Sequence, residues 1–155
     1  MTMTVVENGV RRPATAAEIA QREADALALE ARQKDVLKAE ALEFAEAVGR
    51  QFTAGYPDSE RQSWPVKQAE AKLIVAGETD PARYPVIAAE ISITGESAPE
   101  IAGVILAKAA IFERAAGLLS GFRQSALAAI DAAEGAQAAR TALDNAKAAL
   151  SAALA

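Results

Sequence analysis

Asp58 and Glu60 stand two positions apart. A carboxylate pair of this kind can divide general-acid and general-base work. Acids at such a place also open helices, where a carboxylate suits the positive end of the helix dipole. Ser120 and Lys108 are a Ser–Lys pair by type, but they are twelve residues apart in one helical pattern. That spacing is about 18 Å along the axis, too far for proton transfer. Arg61, Lys67, Lys72 and Arg123 would suit an anionic partner near Trp64, the only tryptophan. They are interleaved with Glu60, Glu70 and Glu78, as on a solvated helix face. Gly117 and Gly121 make no phosphate loop; small residues four apart suit the close approach of another helix. The absences decide more. The chain has no His and no Cys, which removes the commonest general base, thiol nucleophiles and thiolate–metal sites. The residues therefore predict no catalytic, cofactor-binding or metal site, and a protein that is not an enzyme.

Composition narrows the class further. A chain of 155 residues fits one domain with a real core. Hydrophobic residues make up 52% and aromatics only 5%, because alanine supplies much of the apolar fraction. Alanine favours helix but buries little area, so the chain should be helix-rich with a thin core. The net charge of −5 argues against nucleic acid as a partner. No run of about 20 apolar residues exists to span a membrane. The opening MTMTVVENGVRRP lacks the apolar core of a signal peptide. The expected location is the cytoplasm that makes the protein, or an assembly built there.

These residues must be positioned by helices. Thr4-Val5-Val6, Asn8-Gly9 and Val10 fit a small hairpin, and the same stretch also fits a flexible arm. Thr15 and Glu18 form a capping box that starts a helix running to about Ala54. Leu37, Ala41, Phe44, Val48 and Phe52 give its second half one apolar face, while its first half is highly charged. Gly55 stops it, Asp58 or a neighbour caps the next helix, and Gly77 ends that one. Pro65, directly after Trp64, lies inside this second helix. It costs about 3 kcal/mol there, which argues for a packing use of the kink. Tyr84-Pro85 opens a short helix to about Ile93, and Ser97–Glu100 is a second capping box. No Pro follows Pro99, so an unbroken final helix would run roughly 55 residues, or roughly 80 Å. Its stripe is wide from Ile101 to Phe122 and should be satisfied within the chain, with Trp64, Phe44 and Phe52 available to cover it. Trp64 itself fits either a place in that core or a partner-facing one.

One stretch of the chain resembles a known group. Phe52, Tyr56, Glu60, Arg61, Trp64, Gln68, Glu70 and Ala71 follow a pattern of an aromatic-ending helix and then Tyr-x-x-x-Glu-Arg-x-x-Trp-x-x-Gln-x-x-Glu-Ala. Gln68 stands one residue later than the pattern has it. Ile105 to Lys108 and Gly121-Phe122-Arg123-Gln124 match its later part. The pattern is similar to that of small helical proteins associated with tailed-bacteriophage tails, encoded among tail and tail-fibre assembly genes. It covers roughly Glu43 to Ala133 and says nothing of chemistry.

The fold expected is all-α, a small bundle with two long helices and an N-terminal hairpin or extended arm. Its domains are residues 1–14 as an arm, 15–134 as the bundle and 135–155 as an Ala-rich tail. That tail is too thin to be stable alone, so it should be ordered only against a second chain or a fibre partner. The apolar positions left over for partner contact are Ile19, Leu27, Leu29, Leu143 and Leu150. The resemblance implies a tail or tail-fibre protein as partner, and small alanine seams point to a homo-oligomer. It implies an assembly chaperone in the host cytoplasm or a permanent component of the virion tail; an adaptor outside any phage is a third reading.

Overall fold

The computed structural model describes residues 3–155. The fold is all-α apart from one short hairpin. In chain order the elements are β1 (Thr4–Glu7), β2 (Val10–Pro13), α1 (Ala16–Thr53), α2 (Asp58–Val75), α3 (Pro85–Thr94), α4 (Ala98–Ala132) and α5 (Ala136–Leu154). A single 3-10 turn, Pro81–Arg83, precedes α3, with the Asp80 carboxylate accepting from the Ala82 amide at 3.0 Å. The chain forms two compact units, Met1–Glu43 with Arg123–Ala149, and Phe44–Phe122 with Leu150–Ala155.

In the first unit the N-terminal stretch is a hairpin. Asn8 and Gly9 take positive φ angles of 50° and 80°, the geometry a two-residue primed turn requires. Val5 lies opposite Arg12, and Val6 opposite Arg11. An isolated hairpin is marginal in water, and this one is tied to the start of α1. Both terminal nitrogens of Arg12 donate to the Glu18 carboxylate at 2.8 Å. Glu18 also completes the capping box: it accepts from the Thr15 amide at 2.8 Å, and its own amide donates to the Thr15 hydroxyl at 3.3 Å. The Arg12 guanidinium first, and the Thr15 amide second, hold the Glu18 carboxyl down to about 2.

Leu37, Ala41, Ala126, Ile130, Ala139 and Leu143 are the buried positions of this unit, drawn from α1, α4 and α5. One carboxylate on α1 ties α5 in place. Glu40 accepts from Arg140 at 2.7 Å and from Lys147 at 2.6 Å. Those two cations, Lys147 foremost, hold its carboxyl below the usual range.

The single long final helix expected from the sequence does not form. Gly135, with a φ of +85°, turns the chain between α4 and α5. Two residues of α1, paired with each other at 3.1 Å, satisfy the broken ends. Lys34 donates to the Ala133 carbonyl at 2.7 Å, where α4 ends, and Glu30 accepts from the Gly135 amide at 3.2 Å, where α5 begins. A cation thus sits at the helix C-terminus and an anion at the N-terminus, as the helix dipole favours. The expectation that the tail needs a second chain is corrected with it. α5 is ordered within its own chain, and Leu143 and Leu150 are buried at 0% and 4% exposure.

The second unit has a core of Ala71, Ile74, Tyr84, Ile87, Ile101 and Ala102, from α2, the turn before α3, α3 and α4. Phe44 and Phe122 meet edge to face at 5.5 Å. Two helix starts lack a local side-chain cap. Asp58 is the first residue of α2 rather than its cap; Pro57 holds the cap position without a side-chain bond, and Asp58 pairs with Arg61. The start of α3 has no local side-chain cap. Glu70 of α2, 5% exposed, supplies one by accepting from the Val86 amide at 3.2 Å and the Ile87 amide at 2.9 Å. At the second capping box, Ser97 donates to Glu100 from its amide at 3.1 Å and from its hydroxyl at 2.6 Å. The close helix approach expected at Gly117 and Gly121 is absent, since a Cβ at either position meets nothing within 4 Å. It occurs at Gly49, where a Cβ would stand 3.6 Å from Leu119.

Candidate functional site

The second unit carries an open groove of about 760 Å³ between α2 and α4, within the usual range of binding pockets. Three aromatic rings build its wall. Trp64 meets Tyr56 edge to face at 5.2 Å and Phe112 at 5.6 Å. Phe52, at the end of α1, adds a fourth ring to the lining. Pro65 also lies on the groove, and without a backbone N–H it leaves the Arg61 carbonyl short of its helical donor. Trp64 is half-buried, at the groove wall rather than in the closed core.

The α4 side is apolar with one charge in its middle. Ile101, Val104, Lys108, Ile111 and Phe112 recur at three- and four-residue steps, so they share one helix face. Val104 and Ile111 are 54% and 62% exposed, and Phe112 is 40% exposed. The wide stripe was expected to be satisfied within the chain, and at these three residues it is left open. The Lys108 ammonium lies over the Tyr56 ring, 5.8 Å from its centre, the arrangement of a cation–π contact. Among the described residues Lys108 has no carboxylate partner. The other two cations of the lining are paired, Arg61 with Asp58 and Lys67 with Glu90 at 2.8 Å. Glu60, Glu96 and Glu113 form the acidic part of the rim, with Glu113 accepting from Gln68 at 2.7 Å.

Such a surface is suited to binding. Asp58 pairs with Arg61, and Glu60 lines the groove. Among the described residues no group of three or more potential ligands is placed to hold a metal ion. No helix of the described residues is long and apolar enough to cross a membrane.

The five residues read from the sequence as partner contacts fall into two sets. Leu27 and Leu29 stand on an exposed stretch of α1, 68% and 56% accessible, and Ile19 is half-buried near its start. Leu143 and Leu150 are buried inside the chain and offer no free surface. The structure does not bring the five together in one site. The groove escaped the sequence reading because its apolar residues carry the same three-and-four spacing as core residues. Lys108, a lone charge within that stripe, was the one signal that the stripe is not all covered.

No family model, no curated protein and no solved structure matches this chain.

Proposed function

We propose that this chain is a non-enzymatic bacteriophage tail or tail-fibre assembly protein that acts through helix-mediated protein contacts. One observation carries the reading. About half of the residues on which the phage-tail resemblance rests, namely Phe52, Tyr56, Glu60, Arg61, Trp64, Gln68, Ile105 and Lys108, line the groove, while Glu70, Ala71 and Gly121 to Gln124 lie outside it. An exposed aromatic-walled groove with a polar rim is the form of a protein-docking surface. The proposed partners are a tail or tail-fibre protein and further copies of this chain, in the host cytoplasm during assembly. The alternative is a permanent virion component built as a homo-oligomeric bundle. It leaned on a continuous seam along the final helix, and Gly135 interrupts that seam.

Quantitative mass spectrometry of purified particles, and of complexes from cells in which they assemble, tests the reading. An assembly protein is recovered in complex with a tail or tail-fibre protein before maturation and is depleted from finished particles. Stoichiometric presence in finished particles favours the permanent component. Absence from both overturns the tail assignment.

A further inference from the structure

Among the described residues two surfaces lack a cover, and their chemistries match. The first is the groove. The second is the stretch of α1 around Arg22–Val36, where every residue from 20 to 29 is exposed. A helix with no packed face is marginal in water, because helical stability comes mostly from tertiary burial. Arg22, Asp25, Leu29, Arg32 and Val36 follow one another at steps of three, four, three and four, so they form one face. Leu29 and Val36 on that face are 56% and 64% exposed. Asp25 accepts only a hydrogen bond from Gln21 at 2.8 Å, and Arg22 and Arg32 form no ion pair among the described residues.

We propose that the groove of one copy receives the α1 face Arg22–Val36 of a second copy, an interface that rests on the reading of this chain as a helix-mediated assembly protein. Charge selects this occupant. The groove offers one uncommitted cation, Lys108, amid apolar side chains, with Glu60, Glu96 and Glu113 at the rim. The α1 face offers one carboxylate, Asp25, beside apolar Leu29 and Val36, with arginines at Arg22 and Arg32. The signs are opposite at the centre and at the rim, which favours this register over a like-charged one. Apolar anchors at three-, four- and seven-residue spacing are the usual way a helix fills a groove.

The full-length chain is its own probe. Sedimentation equilibrium gives the association constant, and Trp64 emission reports the groove directly. Association should increase with concentration and shift Trp64 emission to the blue as the groove dries. Leu29→Glu and Lys108→Glu should each weaken association by at least about tenfold. Leu27→Glu, on the opposite side of α1, should leave it unchanged. Asp25→Lys should weaken it as Lys108→Glu does, and the two combined in one chain should recover much of the loss. Mixing the Leu29→Glu and Lys108→Glu proteins should restore a one-to-one pair, since one intact helix face then meets one intact groove. All these positions are exposed, and circular dichroism checks that each variant keeps its helix content. A chain that is monomeric at its highest soluble concentration overturns the interface, as do equal effects of Leu27→Glu and Leu29→Glu, or no recovery in the charge-swapped double variant. A monomeric chain still found bound to a tail protein would overturn this interface and leave the assembly reading standing.

Discussion

Two acidic residues hold this structure together in different ways. Glu70 is buried, and its carboxylate closes the start of α3 across 17 residues of sequence. Hydrogen bonds to a charged group contribute about 1.5–3 kcal/mol, and a buried amide left unpaired costs a similar amount. Glu70→Ala should therefore lower stability by about 2–3 kcal/mol in urea denaturation, while Glu46→Ala, at an exposed position, should change it little. A Glu70→Ala loss no larger than that of Glu46→Ala would mean water replaces the cap. Glu18 acts at the surface. Its carboxyl is held down to about 2 by Arg12 and Thr15. A carboxylate with a depressed value stabilises the fold above its ordinary range, and that contribution is lost as pH falls through the depressed value. The hairpin should thus stay docked on α1 at pH 5 and detach between about pH 4 and 2. Amide exchange or chemical shifts of Val5 would report this, and Arg12→Ala, which removes the tie itself, should leave the hairpin undocked at pH 5 as well.

At the scale of elements, the helices were readable and their terminal chemistry was only partly so. Thr15 and Glu18, Gly55, Gly77 and Pro85 mark starts and stops by local rules, and α1, α2 and the start of α3 fall within a residue or two of those marks. The break between α4 and α5 was not readable in the same way. Gly135 alone is tolerated inside a helical pattern; it becomes a turn because Glu30 and Lys34, a hundred residues away, satisfy both ends it creates. The cap from Glu70 is hidden for the same reason, as no local motif points from α2 to α3. Gly117 and Gly121 show the reverse error. Their spacing suggests a packed approach, but each faces open space in the interior of α4. Glycine in a helix interior costs about 0.5–1 kcal/mol relative to alanine, so Gly117→Ala and Gly121→Ala should each stabilise the chain by about that amount. A thermal melt that falls instead would reveal something packed against that face.

At the scale of the whole molecule, the all-α class follows from alanine content and helical periodicity, and the interior confirms why the core is thin. Many buried positions are alanines, such as Ala41, Ala71, Ala102, Ala126 and Ala139, each at 0% exposure. What periodicity does not reveal is which apolar stripes remain uncovered. Leu143 and Leu150 read as spare positions and are core, whereas Val104 and Ile111 read as core and are exposed. Both sets obey the same three-and-four spacing, and only the tertiary arrangement separates them. The uncovered set lies in the groove beside Tyr56, Trp64 and Lys108, and the proposed function rests there.

The most direct test of that reading is genetic. A stop codon early in α1, in a phage that encodes this chain, should leave head assembly intact and yield particles with defective tails or missing fibres by electron microscopy. Supplying the wild-type chain in trans should restore infectious particles, and supplying Phe112→Glu, altered at the open groove, should not. A normal yield of infectious particles without the chain, or full rescue by the groove variant, would contradict the account.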